Sequence, residues 1–193
     1  MNLALVVEGT FDGPTYRTLI SRVRNGISEL QVRECGGKSR LKHKFVYFLK
    51  ELQRNPAWQI DVAFVIRDSD CDPPQPIENQ LRNILNASGL EPQMHVEFFA
   101  TPCMLESWLL GDLDAVRTVA ANRGYGVPIA PLNIEIPNAN SAEDKDVFTR
   151  VLTHFGLPAT PRVYEEVAAS ADLTRIGNRC HYFGEFMRRI NAV

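Results

Sequence analysis

Two short stretches of the chain are apolar without a break: Leu3 to Val7, ending at Glu8-Gly9, and Val62 to Ile66, ending at Arg67-Asp68. A strand with one wet face alternates, so an uninterrupted run suits a strand buried on both faces, as in a parallel sheet. Leu30 to Arg33 and His95 to Phe99 are weaker strands of the same series. Helical spacing fills the intervals. Pro14 suits a first helical turn, after which Tyr16, Leu19, Ile20 and Val23 share one face. Ser39 is a candidate cap for a second helix with Leu41, Phe45, Phe48, Leu49 and Leu52 as its stripe. Ile77, Leu81, Ile84 and Leu85 mark a third helix over 77–87, and a fourth starts near Met104 with Leu105, Trp108 and Leu109.

Strand and helix in alternation predict an α/β fold, a largely parallel, Rossmann-like sheet flanked by helices. Ligands of such sheets gather beyond the carboxyl ends of the strands. From Arg123 to Asn140, two glycines and three prolines predict an irregular loop. Helices are expected again over 143–155, 161–170 and 178–190. The layout is an α/β core over residues 1–112 and a helical C-terminal extension, 113–193, packed on it.

At 193 residues the chain favours one domain, and 45% hydrophobic with 23% charged residues excludes long disorder. The four cysteines, at 35, 71, 103 and 180, show no C-x-x-C pair and no metal-type spacing with histidine. They are expected to be reduced thiols in a cytoplasm, without a disulfide framework. The apolar start is too short for a signal peptide, and nothing approaches a membrane span.

The informative acids stand at strand ends. Glu8 follows the first strand, and Asp12 opens the helix after it. Asp68, Asp70 and Asp72 alternate after the third strand. In an extended backbone, side chains two apart point the same way, so Asp68 and Asp70 are expected to converge. With neighbouring strands about 4.8 Å apart, Glu8 can face that pair. Carboxylates so close need a proton or a cation, and oxygen-only ligands favour Mg²⁺ or Mn²⁺. The plainer readings are a Glu8-Gly9 turn with Asp12 as a helix cap, and a solvated acidic loop before Pro73.

Val-Glu8-Gly9-Thr-Phe-Asp12 after one strand and Asp68-Ser-Asp70-Cys-Asp72 after a later one resemble the Toprim signature. The spacing of Asp12 from Glu8, with Leu105-Glu106-Ser-Trp-Leu-Leu, is most similar to the OLD (overcoming lysogenization defect) nucleases and to small stand-alone bacterial proteins of that branch. The similarity spans about residues 3–112. It implies Glu8, Asp68 and Asp70 as catalytic acids, and a metal set of Glu8, Asp12, Asp68, Asp70, Asp72 and Glu106. Glu106 is otherwise read as a solvent-facing residue of its helix. The resemblance also implies a basic contact to the scissile phosphate, with Arg67 and Lys145 as candidates. A Mg²⁺-dependent phosphodiesterase on nucleic acid, DNA foremost, in phage defence or repair is the implied activity. OLD nucleases carry an ATPase domain that this chain lacks. Gly36-Gly37-Lys38-Ser39 ends like a Walker A motif but has Val32 where glycine is required, so any ATPase would be a separate partner. The alternatives are a noncatalytic Toprim-like module that binds a partner ATPase or DNA and, from the D-x-D alone, a haloacid-dehalogenase-type phosphatase or a nucleotide-sugar transferase.

Net charge is only −2, which by itself argues against nonspecific nucleic-acid binding. Its distribution argues otherwise. Residues 17–50 hold nine basic residues and two acids, a segment of +7, leaving −9 for the remainder. Lys42, Lys44 and Lys50 avoid the apolar stripe of their helix. With Lys38 and Arg40 they form a basic surface suited to a phosphate backbone, unless the run is simply a solvated face.

Overall fold

The structure is a computed structural model and describes residues 1–126, 131–135 and 141–193. Four strands form one all-parallel sheet in the order β2-β1-β3-β4: β1 is Asn2–Val7, β2 Glu29–Glu34, β3 Val62–Asp68 and β4 His95–Thr101. Helices α1 (Asp12–Val23), α2 (Lys38–Arg54) and α3 (Pro74–Ala87) connect them. Then follow α4 (Leu105–Leu109), α5 (Leu113–Asn122), α6 (Asp144–His154), α7 (Pro161–Ser170), α8 (Leu173–Arg179) and α9 (His181–Ala192). The α/β parallel architecture expected from the apolar runs is the one observed.

The pleat divides each strand between two cores. Leu3, Leu5 and Val7 of β1, with Phe64 and Ile66 of β3, face one side. There they meet α1 and the C-terminal helices through Trp108, Phe148, Tyr164, Phe183 and Phe186. Ala4, Val6, Ala63 and Val65 face the other side and meet Leu41, Phe45, Leu49, Leu81 and Leu85 of α2 and α3. Two buried faces leave no place for polar residues in Leu3–Val7 or Val62–Ile66, which is why both runs are unbroken. The helices after residue 112 share the first core with the sheet. Trp108 packs edge-on against Tyr16 at 5.8 Å and Phe183 at 5.0 Å, and Arg22 donates to the Ala168 carbonyl oxygen at 2.6 Å.

Helices α5 and α8 go beyond the sequence reading. Both are short and opened by an aspartate cap: Asp112 accepts from the Asp114 N–H, and Asp172 from those of Thr174 and Arg175. Ser39 is not a cap, because α2 begins one residue earlier with Gly37 before it and no side-chain cap. Within the expected loop, residues 123–126 and 131–135 carry no helix or strand; 127–130 and 136–140 lie outside the described residues. Among the described residues, no helix is long and apolar enough to cross a membrane.

The expectation of four reduced thiols is corrected. Cys71 and Cys103 form a disulfide, while Cys35 and Cys180 are free and buried. Backbone bonds extend the β3–β4 pairing past the strands, from Ser69 N–H to the Thr101 oxygen (2.8 Å) and from Asp70 N–H to the Cys103 oxygen (2.9 Å). That pairing brings together two cysteines 32 residues apart, a neighbourhood that sequence spacing does not display. Loop-closure entropy for this separation is worth roughly 3–4 kcal/mol. Reduction, or Cys71→Ser, is therefore expected to lower unfolding free energy by about that much. Urea melts with and without dithiothreitol check this, and coincident midpoints would refute it.

Candidate metal centre

The sheet order reverses between β1 and β3, since β2 lies beyond one and β4 beyond the other. Such a switch point opens a crevice at the carboxyl ends of the strands. Here a cleft of about 440 Å³ is lined by Glu8, Asp12, Asp68, Asp70, Glu106 and Lys145. Four elements supply the acids: the end of β1, the start of α1, the end of β3 with its following turn, and α4. The Gly36-Gly37 turn closes one wall, with φ of 82° and 121°, and the Gly37 N–H donates to the Glu8 carbonyl oxygen at 2.7 Å. Non-glycine residues avoid such backbone.

The acids hold one another in a strained charge state. Burial pushes Asp12 up to about 7, and the charges of Glu8 and Glu106 add to it; the Gly9 N–H, donating to Asp12 Oδ2 at 2.7 Å, pulls the other way. Asp68 is raised well above the carboxylate range by burial and then by Asp12, Glu106 and Glu8. Glu8 is also raised, by burial, against the opposing charges of Arg67, Lys38 and Lys145. Glu106 is buried, only 6% exposed, and accepts from the Tyr164 hydroxyl at 3.2 Å. The solvent-facing reading of Glu106 is thus corrected.

Other candidates are placed differently. β3 ends at Asp68, and Asp70 and Cys71 take left-handed backbone, φ 51° and 68°. The two-residue alternation expected through Asp72 therefore stops at Asp68. Asp70 lines the cleft but is ion-paired with Lys38, while Asp72 is exposed and outside the lining. Arg67, expected at a phosphate, is 4% exposed and does not line the cleft. As the neighbour of Asp68 on a strand, it points to the opposite face, and its charge acts on Glu8. Lys145 stands exposed at the rim. Arg40 and Lys44 are exposed and Lys42 is half-buried, all on α2 rather than in the cleft. Tyr164, supplied by the C-terminal part, carried no motif that would single it out.

The donor set fits a hard divalent cation in its chemistry. All the acids present oxygen, Glu8 Oε2 is buried with no hydrogen-bond partner among the described residues, and the charges that act most on Asp68 are those of other carboxylates. Among the described residues, no three His, Cys, Asp or Glu side chains are gathered closely enough to hold an ion as they stand. Comparison with protein-family models, curated proteins and solved structures returned no match.

Asp12 gives a pH test. An acid raised on folding binds its proton more tightly in the native state than in the unfolded chain. Its contribution therefore favours folding at low pH and is lost as pH rises from the ordinary 3.8 through about 7. In chelator, Asp12→Asn is expected to raise the melting temperature at pH 8 and to flatten its decline between pH 5 and 8. A variant that melts in parallel with the wild type across that range would disprove the assignment.

Proposed function

We propose that the chain is a Mg²⁺- or Mn²⁺-dependent phosphodiesterase acting on nucleic acid, DNA foremost, of the Toprim-like, OLD-type kind. The observation that carries this reading is the convergence of Glu8, Asp12, Asp68 and Glu106, from four separate elements, on one cleft at the sheet's switch point. Carboxylates gathered closely enough to raise one another are costly unless function uses them.

Glu8, Asp12, Asp68 and Glu106 would hold the ion, with Asp70 joining if Lys38 releases it. When bound, a divalent ion supplies Lewis acidity toward a phosphate and toward water. The cation's charge would offset the burial and carboxylate repulsion that raise Asp12, and would hold it as a ligating carboxylate. Lys145 at the rim offers positive charge to the phosphate. Tyr164 orients Glu106 through its hydroxyl. A setting in phage defence or repair follows from the resemblance, as does a separate ATPase partner; the expectation of a cytoplasm rests on reduced thiols. The Cys71–Cys103 bridge is the feature that favours an oxidising compartment.

A noncatalytic module binding DNA or a partner ATPase is the second reading. The Lys38–Asp70 ion pair favours it, because an ammonium group there takes the place of a metal charge. Plasmid and single-stranded DNA incubated with Mg²⁺ or Mn²⁺ separate the two. Cleavage is expected, falling on the order of 10²-fold or more in Glu8→Ala and in Asp68→Ala. Unchanged cleavage in both variants would end the nuclease reading. Calorimetric titration that finds no millimolar Mg²⁺ binding would favour the module.

A further inference from the structure

α2 carries six basic residues and one acid over its 17 residues. Its buried face is Leu41, Phe45, Leu49 and Leu52, so Arg40, Lys44, Tyr47, Lys50 and Arg54 lie around the opposite side. Tyr47, in the middle of this face, is 64% exposed, more than any other large hydrophobic residue among those described. The acid, Glu51, is already taken: Arg33 grips its Oε1 through Nε at 3.1 Å and Nη2 at 2.8 Å. Arg40, Lys44, Lys50 and Arg54 have no carboxylate partner among the described residues.

Beside Tyr47 lies a groove of about 490 Å³, lined also by Lys50, Arg54, Asn55, Pro56, Trp58 and the Arg33-paired Glu51. Its far wall is fixed. Asn2 donates through Nδ2 to the Trp58 carbonyl oxygen at 2.9 Å, and the Arg33 guanidinium sits 4.7 Å from the Trp58 ring centre. One groove thus combines two aromatic rings with two cationic side chains. At its other end α2 starts at the cleft, because Gly37 lines the cleft and Lys38 pairs with Asp70. Tyr47 is nine residues from Lys38, roughly 14 Å along the helix axis.

We propose that this face of α2 and the Pro56–Trp58 turn form a track for single-stranded nucleic acid. A base stacks in the groove against Tyr47 and Trp58, and phosphates lie on Arg40, Lys44, Lys50 and Arg54. The proposal rests on the nucleic-acid reading of the cleft and narrows its substrate. Cationic side chains serve any phosphate backbone, but an exposed ring inside the basic face needs an unpaired base, which a duplex keeps within its stack.

Fluorescence anisotropy in EDTA, with a short labelled oligo(dT) and a duplex of equal length, tests the track without any cleavage. The wild type is expected to prefer the single strand. Tyr47→Ala should weaken oligo(dT) binding about tenfold and leave duplex binding alone. Lys50→Ala with Arg54→Ala should lower the salt slope for oligo(dT) by about 1.4. Thermal melting confirms that these surface variants fold. Unchanged oligo(dT) affinity in Tyr47→Ala, a preference for duplex, or binding to anionic lipid vesicles in place of oligo(dT) would overturn the track. Because EDTA silences the cleft and Tyr47 lies outside it, the track and the nuclease reading can fail independently.

Discussion

Because β1 pairs in parallel with β3, with Val6 opposite Val65, the chain leaves both strands at the same edge of the sheet. Carried on from there, that register sets Glu8 level with Arg67, one residue before Asp68 at the end of β3, so the two acids reach the same edge. Neither can retreat without breaking that pairing. The turns after the strands then bring Asp12 at the head of α1 and, through β4, Glu106 of α4 to the same crevice. Charge repulsion opposes this gathering, and burial raises its cost, as the upward shifts of Asp12, Asp68 and Glu8 show. What offsets it is apolar: cores on both faces of the sheet, one closed by Trp108, Phe183 and Phe186 and the other by Phe45 and Leu49.

Burial on two faces is also why the fold was legible. It writes Leu3–Val7 and Val62–Ile66 as unbroken apolar runs, and it places the acids that follow them at the strand ends. Half-buried β2 and β4, at the sheet edges, leave weaker patterns for the same reason. Local backbone conformation was not legible. Asp68-Ser-Asp70-Cys-Asp72 reads as an extended alternation, yet left-handed turns at Asp70 and Cys71 send Asp72 to solvent. The partner of Cys71 lies across a strand pairing that no spacing encodes. Arg67 looks like a cleft residue in one dimension, whereas in three it is buried outside the lining and acts on the cluster only through its charge on Glu8.

Glu106 illustrates a different limit. On a five-residue helix no periodicity fixes its direction, so a cleft position and a solvent position fit the sequence equally. The decision comes from Tyr164, 58 residues later, whose hydroxyl meets the carboxylate inside the core. The C-terminal helices therefore do more than cover the sheet. They hold Glu106 through Tyr164 and, through α6, supply the Lys145 that lines the cleft.

Charge is arranged with the same economy. The acids of the cleft occupy the end of the sheet where four elements meet, and six basic residues lie on one helix, α2, that begins there and runs outward. Were the two sets intermixed, each would neutralise the other and neither would act on a phosphate. α2 meets the acids through Lys38, its first residue, which pairs with Asp70 in the turn after β3. A net charge of −2 is thus compatible with a strongly cationic surface, because what a polyanion meets is the local field within a Debye length of about 8–10 Å and not the molecular total. If the proposed function holds, a strand drawn to α2 by that field would reach the acids only where its own phosphate competes with Asp70 for Lys38, so the ion pair would mark the boundary between binding and chemistry.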